Sequence, residues 1–156
     1  MLEKVDFPLT NAQISEFILG KEYTTYFTLR QAISEMVESG FIREESTHNR
    51  TLYHLTEEGA ETIQYFKSNI SHTIRKEIDD FIAEKSYELK NEVAVRADYY
   101  PNNSNEYSVR CQIYEGESTL IDLTISVPTK EEAISVANNW TKKNQEIYAQ
   151  IMANLL

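Results

Sequence analysis

The sequence predicts an α+β protein in two parts, and three observations carry that prediction. Apolar residues recur at helical spacing through the first half, around a single alternating hairpin. Three period-two segments follow, and one last amphipathic helix closes the chain. At 156 residues, with 41 % apolar and 26 % charged content, the chain is long enough for one ordinary globular domain or two small ones.

The elements follow in order. In "LTNAQISEFI", Thr10 is placed to cap a helix whose Ile14, Phe17 and Ile18 fall at helical spacing, with Gly20 as its stop. The next stretch opens with threonines suited to an N-cap, sets Leu29, Ile33, Met36 and Val37 in one buried stripe, and ends at Gly40. Two short amphipathic helices so joined are the sequence form of a helix-turn-helix. Ile42, then Leu52, Tyr53 and Leu55, flank the polar loop Ser46 to Arg50, which reads as a hairpin with a short wing. Thr56 caps a further helix with Glu57 and Glu58 in its first turn, where carboxylates favour the positive end of the helix dipole, and Ile63, Tyr65 and Phe66 give it an apolar side. A helix from about Ser71 to Lys85 carries Ile74, Ile78, Phe81 and Ile82 and reads as a linker or a dimer helix.

The second half changes period. "EVAVRADYY", "EYSVRCQIY" and "TLIDLTISV" alternate. One face then collects Val93, Val95, Ala97 and Tyr99, next Tyr107, Val109, Cys111 and Ile113, and finally Ile121, Leu123, Ile125 and Val127. Pro128 stops the last strand, "TKEE" has the form of a capping box, and the final helix carries Ala133, Val136, Ala137, Trp140, Ile147, Ile151 and Leu155 to cover the sheet. The expected whole is an N-terminal winged helix-turn-helix over residues 1–70, a linking helix over 71–86, and a three-stranded antiparallel sheet covered by a C-terminal helix over 87–156.

Charge bounds the partners. The 25 acidic against 15 basic residues leave a net charge of -10, shared equally by the segments before and after residue 70, which disfavours indiscriminate coating of nucleic acid or anionic membrane. No apolar run approaches a bilayer span, and Met1 to Leu9 lack a leader's basic and apolar regions, so the expectation is an unprocessed cytoplasmic protein without a membrane partner. The lone Cys111 sits in a strand pattern and reads as a small buried hydrophobe.

The order helix, helix, hairpin, helix, with "YHLTEEG" at the hairpin exit, resembles winged-helix regulators of the MarR and PadR type. "PLTNAQISEFIL", "YTTYFTLRQAISE", "NRTLYHLTEEG" and "VPTKEEAISVANNW" together resemble an uncharacterised bacterial family of unknown function with a winged helix in front and a βββα domain behind. That resemblance implies a fold and carries no activity. It also implies a helix ahead of the one that Thr10 caps. "MLEKVDFP" looks like the tail of such a helix, so the expectation is a start upstream of Met1 and a partly uncovered winged-helix core that a neighbouring chain can cover.

A helical wheel centred on Leu29 turns Thr24, Phe27, Gln31, Ser34, Glu35 and Glu38 away from the core, with Thr28 and Arg30 at the edges. The DNA-binding candidates are Thr24, Thr25, Thr28, Arg30, Gln31 and Ser34 on this helix, with Asn49 and Arg50 in the wing. Gln31 has the amide that pairs with adenine, Arg30 the fork that pairs with guanine or a phosphate, and the threonines donate to phosphates. The competing reading of each is an ordinary solvated helix face. Between Gly20 and Arg43 the basic Lys21, Arg30 and Arg43 are matched by Glu22, Glu35 and Glu38, so the face is locally neutral and the expected binder of double-stranded DNA is a homodimer. The alternative is a protein-protein interaction module that uses the same fold without DNA.

Enzymatic chemistry is not expected. His48, His54 and His72 lack metal-ligand spacing, no glycine-rich phosphate loop or nucleophile elbow is present, and no cofactor is implied. Tyr99, Tyr100, Tyr107 and Tyr114 raise the alternative of an aromatic pocket for a small ligand or protein partner on the C-terminal sheet, against simple cross-strand packing. Arg96 and Arg110 alternate with the apolar set and are placed to receive an anion or to balance Asp98 and Asp122.

Overall fold

The computed structural model describes residues 1–46, 50–116 and 118–156, and within them the chain is α+β, with two three-stranded antiparallel sheets and five α-helices. It divides into two compact units, Met1–Lys90 and Asn91–Leu156.

The first unit begins with a short 3-10 turn at Leu2–Lys4 and continues through β1 (Leu9–Thr10), α1 (Asn11–Gly20), α2 (Tyr26–Glu38), β2 (Ile42–Ser46), β3 (Thr51–Leu55) and α3 (Glu57–Phe66). A second 3-10 turn at Lys67–Asn69 leads to α4 (His72–Ala94). Helix α1 starts where Thr10 places a cap, and the cap is reciprocal: Gln13 N donates to Thr10 Oγ1 (3.1 Å) and Thr10 N donates to Gln13 Oε1 (2.9 Å). It ends at Gly20, as the sequence predicts, but the glycine is not the left-handed residue of the cap. Gly20 stands in open space, and the left-handed residue is Glu22 at φ 55°, after which Tyr23 N donates back to Ile18 O (3.1 Å).

Helix α2 buries Leu29 and Ile33, and Val37 packs against the same core from its last turn, while Met36 is 37 % exposed. Gly40 (φ 75°) closes it, with Gly40 N and Phe41 N donating to Val37 O and Met36 O. The hairpin β2–β3 forms as expected and gains a strand the sequence did not announce: β1 pairs with β3, giving the order β1-β3-β2. Central placement explains why the adjacent Leu52 and Tyr53 are both fully buried although they point to opposite faces. The core gathers Leu9, Ile14, Leu29, Ile33, Ile42 and Tyr53.

The phrase Leu55-Thr56-Glu57-Glu58-Gly59 proves to be more than a cap. Thr56 Oγ1 accepts from Gly59 N (3.0 Å), and its own hydroxyl reaches Gly40 O (2.6 Å) and Phe41 O (2.9 Å). This clamps the start of α3 onto the turn after α2 so closely that any Cβ on Gly59 would overlap the Phe41 carbonyl. Tyr65 and Phe66, expected on a packed side of α3, are 83 % and 57 % exposed. Helix α4 packs Phe81 on Phe17 (ring centroids 5.0 Å apart), and its Leu89 carbonyl accepts from Gln13 Nε2 (3.1 Å). It runs on to Ala94, so Val93 lies in its last turn and not in a strand.

The second unit is a meander, β4 (Val95–Pro101), β5 (Tyr107–Glu115) and β6 (Ser118–Val127), followed by α5 (Lys130–Leu155). The register sets Ala97 opposite Cys111 and Cys111 opposite Leu123, which gathers most of the expected apolar face under Ala133, Ala137 and Trp140 of α5, but Ile125 on the edge strand stays 43 % exposed and Leu155 at the end of α5 77 %. Thr129 and Glu132 form the expected capping box, and Trp140 Nε1 donates to Gln112 O (3.3 Å). Burial pushes the Cys111 thiol up to about 11, so it stays protonated at neutral pH.

The four sheet tyrosines do not share a pocket. Tyr99 and Tyr107 pack against the α5 core, whereas alternation sends Tyr100 to the other face, and Tyr114, just past a register shift, stacks under the Arg96 guanidinium at 4.3 Å. On that face Arg110 Nε donates to Asp122 Oδ1 (2.9 Å) and Gln112 to Asp122 Oδ2 (2.9 Å). The bond from Arg110 holds the Asp122 carboxyl below its ordinary range, so this pair balances itself. No helix among the described residues is long and apolar enough to cross a membrane.

Candidate nucleic-acid interface

The outer face of α2 is built on its N-terminal turn. Thr25 adopts an extended backbone and caps the helix, accepting from Thr28 N at 3.3 Å, and its hydroxyl also meets Thr28 Oγ1 at 3.0 Å. Both threonines are exposed, but their hydroxyls are committed to the cap before any ligand arrives, and Thr24 beside them is half-buried. Tyr26 and Phe27 stack edge to face and stand 52 % and 83 % exposed.

Arg30 has the most definite geometry. Its Nη1 donates to Asn11 Oδ1 and to Tyr53 Oη, each at 3.0 Å, so α1 and β3 hold the guanidinium from two sides. Nε and Nη2 have no partner among the described residues, although Arg30 itself is exposed. One edge of the fork is therefore anchored and the other is available for an acceptor. The anchor was not legible beforehand, because Tyr53 read as one more apolar strand residue. Only the adjacency of two large residues, Leu52 and Tyr53, hinted that this strand is covered on both sides.

Further along, Gln31 Nε2 donates to Glu35 Oε1 (2.9 Å) and Ser34 Oγ to Glu38 Oε1 (3.4 Å). Gln31 remains exposed with its carbonyl uncommitted, while Ser34 sits beside a carboxylate that repels phosphate. The structure thus divides the predicted set. Thr28, Arg30 and Gln31 adjoin on the first turns, Thr25 is the cap beneath them, and Ser34 belongs to an acidic stretch. In the hairpin, Arg50 is half-buried and engaged, Arg43 on β2 is exposed, and His54 lies 2.8 Å from Glu45. Asn49 and His48 lie outside the described residues.

Lys21, counted among the cations of this region, sits 3.6 Å from Glu77 of α4, and Tyr23 hydrogen-bonds the same carboxylate. Among the described residues no group of three or more His, Cys, Asp or Glu is placed to hold a metal ion. A separate apolar groove of about 310 Å³ opens between Ile18, Leu29, Ile33, Met36, Ile63 and Phe66.

A helix anchored by its neighbours, with polar and aromatic side chains turned outward beside a hairpin, makes the first unit of this α+β protein a candidate binding module. The chain belongs to the family described as a domain of unknown function (DUF4364), which matches residues 1–155. Comparison with curated proteins and with solved structures gives no match.

Proposed function

We propose that the first unit is a winged helix-turn-helix that binds double-stranded DNA as a homodimer in transcriptional regulation. In this reading α2 is the recognition helix and β2–β3 the wing, and the second unit serves dimerisation, ligand sensing or partner binding. The observation that supports it best is Arg30, whose Nη1 is fixed by Asn11 and Tyr53 while its remaining donors are uncommitted, next to Thr28 and Gln31 on the exposed first turns. A pre-positioned guanidinium loses little entropy on meeting a guanine edge or a phosphate.

The acidic second half of α2 limits contact to these first turns. A dimer doubles Arg30, while Arg50 is already engaged within the chain, so about two phosphates are neutralised, for a slope of log affinity against log salt of about -2. Fluorescence-anisotropy titration with duplex fragments of the source genome, at two salt concentrations, is the test. Saturable binding with that shallow slope is expected. Arg30→Gln should weaken every sequence, and Gln31→Ala should relax the preference at one base pair by about 1–3 kcal/mol. Absence of saturable binding at low salt overturns the proposal.

One observation favours a second reading, a protein-interaction module. Phe27 at 83 % and Tyr65 at 83 % exposure offer aromatic anchors of the kind that dominate protein interfaces. In that case Phe27→Ser abolishes partner binding, and Arg30→Gln leaves it intact.

A further inference from the structure

Lys4, Lys67, His72, Arg75, Lys76 and Asp79 line a cavity of about 360 Å³ in the first unit. In a chain of net charge -10, this recess walled almost wholly by basic groups is out of keeping with the average surface. His72, Arg75 and Lys76 stand at i, i+3 and i+4 and so share one face of the first turns of α4, while Lys4 and Lys67 arrive from the two 3-10 turns.

The pairing inside this cluster is uneven. Lys4 is 2.8 Å from Asp79, Lys67 is 2.7 Å from Glu3, and Lys76 is 2.6 Å from Asp80. Each lysine thus has its own carboxylate, and those bonds hold Glu3 and Asp79 below their ordinary range. Arg75 has none. Its guanidinium makes no hydrogen bond or ion pair among the described residues, its Nε is shut off from solvent without an acceptor, and its charge opposes that of Lys4. Arg75 nevertheless lines the recess, and a cation without its own carboxylate favours an oxyanion at its Nη donors.

We propose that this cavity binds the terminal phosphate of a small phosphorylated molecule, with Arg75 as the principal donor, His72 and Lys76 beside it, and the Lys4 and Lys67 ammonium groups completing the field. The carboxylates of Glu3 and Asp80 hold Lys67 and Lys76, while Asp79, paired with Lys4, is the one acidic group in the wall. In a chain of net charge -10 a duplex presenting many phosphates meets an acidic surface, whereas one compact phosphate enters the recess. The site stands independently of DNA binding at α2.

The test is a titration of the full chain with inorganic phosphate and pyrophosphate, against chloride at equal ionic strength, followed through the His72 imidazole resonances, which the His72→Gln variant identifies. A saturable shift with phosphate and none with chloride is expected. Arg75→Gln should weaken binding about tenfold or more, the equivalent of one hydrogen bond to a charged group, with thermal unfolding unchanged. Should that variant fail to fold, Lys76→Gln at a 65 % exposed position serves instead and should weaken binding several-fold. A shift that tracks ionic strength, or survives both substitutions, overturns the proposal. So does a response to duplex DNA alone, which identifies the source as backbone phosphate.

Discussion

Glu22 and Gly59 show how single residues hold the first unit together. Glu22 occupies a left-handed conformation (φ 55°) that costs a non-glycine residue roughly 1–2 kcal/mol, while the glycine two positions earlier goes unused. Glu22→Gly should therefore stabilise the protein by about 0.5–1 kcal/mol, read as a higher denaturation midpoint at unchanged slope. Gly59 is the opposite case. The Thr56 clamp leaves its Cα against the Phe41 carbonyl, which is backbone and cannot swing aside. Gly59→Ala should cost about 3 kcal/mol, and an unchanged midpoint would show that the junction between α2 and α3 is looser than this geometry.

Among elements, helix starts and sheet alternation were legible because their causes are local: Thr10 with Gln13, Thr56, and Thr129 with Glu132 cap within three residues. Features set by distant chain were not. Strand β1 is two residues long and exists through its pairing with Tyr53 and Leu52, and α4 outruns its expected end at Lys85. The anchored edge of Arg30 depends on Asn11 and Tyr53, and the basic cavity joins Lys4 to residues more than sixty positions away, so neither leaves a trace in any window of sequence. Gln13 ties two elements at once: it is 2 % exposed, completes the α1 cap, and donates to the Leu89 carbonyl of α4. Gln13→Ala leaves the Thr10 N–H without its acceptor and removes the bond to the Leu89 carbonyl, and should cost about 1–3 kcal/mol in chemical denaturation. A cost of only a few tenths would mean that α4 does not depend on this bond.

For the molecule as a whole, acid should lower stability. Lys67 holds Glu3 below its ordinary 4.5, and Lys4 and Arg110 hold Asp79 and Asp122 below their ordinary 3.8. Carboxylates depressed in the folded state contribute stability that is fully present above these ordinary values and is lost as pH falls through the lower folded ones. Denaturation midpoints should thus fall as pH drops below about 4.5, modestly, since all three groups are partly solvated. The two units also differ optically. The single tryptophan, Trp140, is 3 % exposed and belongs to the second unit, while every group proposed here to meet DNA or phosphate belongs to the first. Indole emission is consequently a reporter of the second unit's core, and neither α2 nor Arg75 belongs to that unit. If a ligand at either nonetheless shifts that emission, the signal has travelled from one unit to the other, and the protein is a transducer as well as a binder.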